Sequence, residues 1–578
     1  MLDKQILHSD FGSDNGFKAK TIRLENLNLI AGAVDFFGIE NLIDNAIQKE
    51  SNNPGVPYGT LVKALIMQCL QVPYQSLYNT QEFYSDKPFD VLFNGNVLNA
   101  EDFNRVNMAR MLDAVYEYGI EKLFTDIAVN VFNKIKIDVT AVHLDSTSFH
   151  YDGKSREEQG CEIVLRKGYS RDGHPELNQI NALMMVDTLT RIPLWHHCVS
   201  GNTSDNTSFN EAINKFLPFL QQQFKELQYL VGDSALCTAK NLQDAKEKNI
   251  KIVTRVPDKD TIAKECFSMD TEGKFTPVNK DEPLGPQAMW CGNKKLGDVE
   301  LKMMMVINPN MKGKKTETYT NRAKKEEEQT KSAVKKFSTQ PFACKADAEK
   351  AVNKLEKSLK YCKLADIKYE TIEGYAHKGR HKKDELPISK GVIVFAEVSI
   401  MEDVLELKIN ESLRYIIATT DITRDWTMAD LLAIYHRQSA VERGWRCIKD
   451  PKILVSSIFL KKPSRIATLM WLMTLGLLVY CAMEYHIRKT MQDNELWIPT
   501  PDNRYPMYKP TLLRLLTYIS RCETHLNIVY KDHVPITVNF TCAHEPVKEL
   551  LRALEPEFSY YYTAAPYSMK IYQMAAED

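Results

Sequence analysis

Tyr435, Glu442 and Lys449 recur at intervals of seven and seven between Leu431 and Asp450. On a helix of 3.6 residues per turn, seven residues fall only about 20° short of two full turns, so the three side chains form one stripe. Gln438 and Arg446 stand beside it. An acid between an aromatic and a base suits a helix that holds a metal ion at its middle and a phosphodiester along its length. A solvated helix face with ordinary charges gives the same pattern. The adjoining stripe of Ile434, Val441, Trp445 and Ile448 is apolar and would anchor the helix on a core.

Two more acids could join Glu442. Asp145 ends the β-rich run Ile137–Leu144, and Asp233 follows the run Leu227–Val231 in Gly232-Asp-Ser234. Three carboxylates from separate segments are hard oxygen ligands of the kind that suit Mg²⁺ or Mn²⁺. Two such ions can activate an attacking oxygen and stabilise a leaving one at phosphorus. Each acid also has a plainer role. Asp145 could cap a turn with Ser146 and Thr147, Asp233 could cap the next helix, and Glu442 could pair with Arg446 four residues on.

The elements that must position these acids follow from hydrophobic period. Residues 1–134 read as a helical N-terminal domain, with apolar residues at three- and four-residue spacing in Gly59–Gln71 and Ala109–Phe132. From 135 to 256 the order is three strands, helix, strand, helix, strand, which predicts a mixed α/β sheet with acids at strand ends. Ser204 and Asp205 are candidate caps for a helix over Thr203–Gln223. Residues 257–410 read as a β-rich insertion with its own sheet and a charged helix from about Ala323 to Leu364. The sheet resumes in 411–490 at Ser412–Thr420, and Thr427 and Asp430 form a cap with its N3 acid. A C-terminal region, 491–578, holds a possible strand pair near Val529–Thr541.

At 578 residues the chain is too long for one core. Its 44% apolar and 26% charged composition is that of a soluble globular protein, and its net charge of −1 announces no nucleic-acid partner. The twelve cysteines show no zinc spacing and no signal peptide is evident, which predicts a reduced, cytoplasmic protein. The uncharged run Ile466–Met483 reads as a buried helix of a large domain rather than a membrane span. His196 and His197 in Trp195-His-His-Cys198 alternate on a strand and so are core and surface histidines, not a metal pair. The basic segment His377–Lys383, with Tyr375 beside it, is either a nonspecific contact for DNA backbone or a solvated hairpin tip.

Five blocks in order carry a family resemblance. They are Leu144-Asp-Ser-Thr-Ser148, Gly168-Tyr-Ser-Arg-Asp-Gly-His-Pro-Glu-Leu-Asn-Gln179, Gly201-Asn-Thr-Ser-Asp205, Gly232-Asp-Ser-Ala235 and Tyr435…Glu442…Lys449. The chain resembles DDE-type insertion-sequence transposases of the subgroup with a Tyr-x2-Arg-x3-Glu-x6-Lys signature. The resemblance implies an RNase H-like core interrupted by a β-rich insertion and preceded by a helical domain. It implies Asp145, Asp233 and Glu442 as catalytic metal ligands for two Mg²⁺ or Mn²⁺ ions. Tyr435 and Lys449 match positions that contact the phosphates of the transposon end. Gln438 stands where the signature has Arg, with Arg437 adjacent but about 100° round the helix. Arg446 is a further candidate for DNA contact. The implied activity is metal-dependent strand cleavage and strand transfer at the inverted repeats of an insertion sequence. Its partners are those repeats, target DNA, and a second copy of the chain in the synaptic complex, with no membrane. The alternatives are a nuclease on the same core without strand transfer, and a DNA-binding protein that no longer catalyses.

Overall fold

The computed structural model describes residues 17–23, 26–49, 55–71, 80–85, 87, 92–93, 98–151, 153, 158–171, 173–375, 386, 388–437, 442, 444–445, 448–449, 460–500, 504–522, 524–531, 534–542 and 544–562. Strand β1 is Phe17–Arg23, and β2 to β6 are Ala141–Tyr151, Asn178–Asp187, Pro193–Ser200, Tyr229–Gly232 and Lys251–Val256. Strands β7 to β9 are Thr276–Pro277, Gln287–Leu296 and Val299–Ile307, while β10 and β11 are Cys362–Gly374 and Ile388–Ile400. Then come β12, Arg414–Thr419, the short pair β13 and β14, Ile498–Pro499 and Pro506–Met507, and finally β15 and β16, Thr524–Lys531 and Val534–Cys542.

Nine of the described strands form one sheet in the order β4-β3-β2-β5-β6-β12-β9-β8-β7. Strands β2 to β4 run antiparallel, and β5 and β6 join β2 in parallel. This is the mixed α/β sheet expected from the order of elements. The expected separate sheet for 257–410 is corrected, because β7, β8 and β9 extend the core sheet through β12. An edge strand with unpaired backbone groups is a liability, and β12 offers its free side to β9. Only β10 and β11 pair apart, as a two-stranded ribbon. The single charged helix expected over 323–364 is two helices, Lys312–Thr339 and Lys345–Ser358. Pro341 lies in the break, where its ring denies the backbone a helical hydrogen bond. The helix expected over Thr203–Gln223 likewise divides into Asp205–Glu211 and Leu217–Gln223, joined by a wider π turn.

The sheet separates two cores by strand alternation. Leu230, Met303, Met305, Ile416 and Ala418 face a large core built with the helices of both chain ends. Tyr229, Val231, Met304, Val306 and Ile417 face a smaller one, covered by Leu431 and Leu432 of the helix Met428–His436. Thr427 caps that helix as expected, accepting from the Asp430 amide at 3.0 Å.

The long helix Pro463–Asp493 begins with proline at its first turn, where no amide is missed, and is apolar on nearly all sides. Its most apolar window is 83% buried in the protein, as a central core helix would be. It packs on helices Tyr58–Leu70, Arg105–Tyr118 and Ile120–Ile135 and on β4. The expectation of a helical front end needs one correction: β1 pairs with β15, so the first and last parts of the chain share a three-stranded sheet. Behind it, the fully buried Lys63 pairs with Asp35 at 2.6 Å and Glu40 at 3.2 Å and donates to the Tyr561 hydroxyl at 2.9 Å.

His196 and His197 do point to opposite sides. His197 Nδ1 meets Glu121 at 2.7 Å, whereas His196 is buried between Thr474 Oγ1 at 3.1 Å and Cys198 Sγ at 3.3 Å. Burial, aided by the nearby His197, pushes the His196 pKa down to about 3. The folded state therefore refuses a proton that the unfolded chain takes up below about pH 6.5, so stability is lost as pH falls through that value. The stability gap between wild type and His196→Gln should shrink by about 2 kcal/mol between pH 6.5 and 5, read from urea unfolding at each pH. A gap that is constant with pH would show that His196 does not titrate on unfolding.

Candidate active site

Parallel pairing sets the first two acids side by side. Strand β2 matches β5 in the register Ala141 to Tyr229 through Leu144 to Gly232, so Asp145 and Asp233 are the next positions on adjacent chains. Neighbouring strands lie about 4.8 Å apart. Both acids share the parity of Tyr229 and Val231, whose side chains face the smaller core and the helix Met428–His436. Asp145 Oδ1 accepts from the Ser146 amide at 2.8 Å, within strand β2 rather than in a turn. Asp233 Oδ1 accepts from the Ala235 amide at 3.0 Å, and Thr254 Oγ1 donates to the Asp233 carbonyl at 2.7 Å. The helix after Asp233 is capped by Thr238 instead.

Glu442 is exposed, in a segment that is again helical at 442, 444, 445 and 448. Gly444 lets this segment approach the sheet. A Cβ there would lie 2.9 Å from Leu477 of the long helix and 3.3 Å from Met184 of β3. Trp445 packs edge-on against Phe149 of β2, with ring centroids 6.2 Å apart, and the Lys449 ammonium lies 5.2 Å from the same ring. Tyr435 is half-buried beside Tyr415, and burial pushes its hydroxyl up to about 12. Glu442 and Asp233 both act on it as charges. The segment thus runs from the Asp233 side to the far half of β2, with its acid between an aromatic and a base. Arg437 closes the helix Met428–His436 and is exposed; its charge acts on His143 and Asp187. Gln438, Arg446 and the basic segment 377–383 lie outside the described residues.

The cations that act on the two aspartates are ones the sequence did not single out. Arg255 of β6 acts on Asp233, and its guanidinium is paired with Asp258 and sits 5.6 Å from the Tyr415 ring centroid. Arg171 acts on both aspartates. Its Nη1 lies 4.0 Å from Asp145 Oδ1, while Nη2 donates to Asp205 Oδ2 and to Ser146 Oγ, each at 2.7 Å. Ser146 Oγ in turn donates to Asp205 Oδ1 at 2.5 Å. The glycines of the second and third sequence blocks explain how Arg171 arrives there. A Cβ on Gly168 would stand 2.0 Å from the Gly201 carbonyl oxygen, and one on Gly201 would stand 2.0 Å from that of Gln179. Gln179 Nε2 bridges the two segments, donating to Gly201 O at 2.8 Å and Tyr169 O at 3.1 Å. Beside this bridge opens a polar cavity of about 250 Å³, lined by Ser146, Ser148, Tyr169, Arg171, Asn181 and Asp205 among others. Glycine-flanked Arg171 and the acid ending Gly201–Asp205 were the available signals, but neither fixes a partner by spacing.

Burial is the largest influence on Asp145 and pushes its carboxyl up to about 7. Arg171 and the Ser146 amide oppose this, while Asp233 and Glu442 add to it. Burial raises Asp233 as well, and Asp205 adds to that. Asp233 and Glu442 therefore both bear on Asp145 with incomplete compensation by the chain, and all three are hard oxygen donors. Such a set fits a divalent ion of the magnesium type. Among the described residues, no three acids, histidines or cysteines stand close enough together to form a ready ligand shell. Because the folded-state pKa of Asp145 exceeds its unfolded value, its charge costs stability above pH 7, and the cost fades as pH falls from 7 towards 4. In metal-free buffer at pH 8, Asp145→Asn should gain on the order of 2 kcal/mol, with a smaller gain at pH 5. Equal unfolding midpoints for the two proteins at pH 8 would contradict a strained carboxylate.

Comparison with known proteins adds two family matches. The family described as a transposase DDE domain matches residues 138–479, more than half of the chain. A domain family of unknown function matches residues 19–129. No curated protein matches the chain. Among solved structures, the chain is similar to a piggyBac transposase synaptic complex with hairpin DNA. The two are 9% identical with a TM-score of 0.37, and the match covers 85% of this chain and 80% of that one.

Proposed function

The chain belongs to the transposase DDE domain family, and from that premise we propose that it cuts DNA at the ends of its own element and joins them to a target. The observation that supports this reading is the side-by-side placement of Asp145 and Asp233 on paired strands, with the charge of Glu442 acting on Asp145. In the proposed site these three carboxylates hold Mg²⁺ or Mn²⁺. When bound, such ions supply activation of an attacking oxygen and charge neutralisation on a leaving one, first for cutting and then for joining.

The remaining work falls to the chain's own groups. Asp145 is oriented by the Ser146 amide and Asp233 by the Ala235 amide, so neither carboxylate swings freely. Tyr435 and Lys449 flank Glu442 and contact backbone phosphates of the element end, the tyrosine by its hydroxyl and the lysine by its charge. Arg437, Gln438 and Arg446 are assigned to the same duplex on the strength of the signature alone. Phosphate contacts position DNA without reading its sequence, so recognition of the inverted repeats belongs to other surfaces, with residues 1–134 the leading candidate. Two ends held together require at least two copies of the chain. We assign the protein to the cytoplasm.

The test uses purified full-length protein and a duplex carrying an element end. Wild type should cut it only with Mg²⁺ or Mn²⁺ and should then join the freed 3′-hydroxyl to a second duplex. Asp233→Ala should bind the end with wild-type affinity and leave it uncut. Cutting by Asp233→Ala at the wild-type rate overturns the assignment of the acids. Cutting without joining by wild type would make the protein a nuclease rather than a transposase.

A further inference from the structure

Arg171 stands where a cation is already needed. Its side chain is 27% exposed, and its guanidinium lies among Asp145, Asp205 and Ser146, at the edge of the polar cavity. Its placement is uneven: it touches Asp205 and Ser146 at 2.7 Å but remains 4.0 Å from Asp145. Asp205 holds the guanidinium by its Oδ2 and the Ser146 hydroxyl by its Oδ1, while the Ser146 amide holds Asp145. The three groups therefore form a closed bridge that keeps Arg171 near the half-buried Asp145 without letting it dock there. Glycine contacts at 168 and 201 fix the backbone on either side of the bridge.

We infer that Arg171 is a resident counter-ion of the carboxylate site, which a divalent cation must outcompete, and that Asp205 sets its affinity by holding Arg171 off Asp145. The inference rests on the reading of Asp145, Asp233 and Glu442 as metal ligands. Without a cation, the half-buried Asp145 charge is poorly compensated, and a unit positive charge 4 Å away offsets part of that cost. A divalent ion arriving at the carboxylates meets repulsion from the same guanidinium. Asp205 lowers that barrier because it gives the guanidinium a second carboxylate to remain on. Arg171 and Asp205 are thus positioning residues that tune cation binding, and neither need touch the ion.

The experiment is Mn²⁺ titration of the full chain at pH 8, followed by calorimetry and by the paramagnetic signal of free Mn²⁺. Arg171→Gln should bind Mn²⁺ about tenfold more tightly than wild type, since it removes a repelling charge at short range. Arg171→Lys keeps the charge and should stay within about threefold of wild type. Asp205→Asn should weaken binding in the wild-type background and do so far less when Gln stands at 171. Through-space charge alone would make the two effects additive, whereas a shared guanidinium makes them coupled. The counter-ion role is overturned if Arg171→Gln binds Mn²⁺ no better than wild type, or if the two effects simply add. Should Arg171→Gln fail to fold, Arg171→Met, alone and with Asp205→Asn, takes its place in both comparisons. Asp233→Ala separates the two layers of the argument. If it binds Mn²⁺ as well as wild type, the metal-site reading fails. If it loses Mn²⁺ while Arg171→Gln gains nothing, the counter-ion role alone fails.

Discussion

Carboxylates repel one another, and burial makes the repulsion worse by removing the water that would screen it. Much of this structure answers that constraint at one spot. Strands β2 and β5 hold Asp145 and Asp233 side by side through backbone pairing, which does not weaken when side-chain charges object. The sheet bearing them is packed on both faces, so the strands cannot slide apart without opening two cores. Ser146, Asp205 and Arg171 then spread the charge over a hydrogen-bonded bridge. The result is a rigid frame around groups that, left to themselves, would separate.

The frame also explains the length of the chain. A five-stranded core ending at β6 would leave an open edge, and β12 covers it. The segment between them does more than fill a gap, since β7, β8 and β9 continue the sheet beyond β12 and the ribbon β10–β11 carries its own small core with Ala348 and Val352. Helix Met428–His436 follows β12 and covers the smaller core on the sheet face that Tyr229 and Val231 share. The strand that follows the insertion thus also precedes, in chain order, the helix that comes before Glu442.

Local signals in the sequence were readable where local physics decides the outcome. Asp233 after its strand, the Thr427 and Ser204 caps and the opposite-facing His196 and His197 all follow from short-range geometry, and the structure has them, whereas Asp145, expected at a strand end, lies inside β2. The buried character of the long helix was readable from its charges at one end and its uncharged length. Pairings between distant segments were not readable. No periodicity announces that β1 meets β15, that β9 meets β12, or that Arg171 meets Asp205 across a pair of glycines. The cations nearest the aspartates come from such long-range contacts, whereas Arg437, suggested by its place beside the signature, acts on His143 and Asp187.

The pairing of β1 with β15 also sets an order in time. A ribosome delivers the front helices hundreds of residues before the strand and the tyrosine that complete them. Until then Lys63 lacks the Tyr561 hydroxyl, and β1 has no neighbour to take up its backbone groups. Contacts so distant along the chain are slow to form, and domains otherwise tend to fold as they emerge. The front layer must therefore wait, half-built, for the tail.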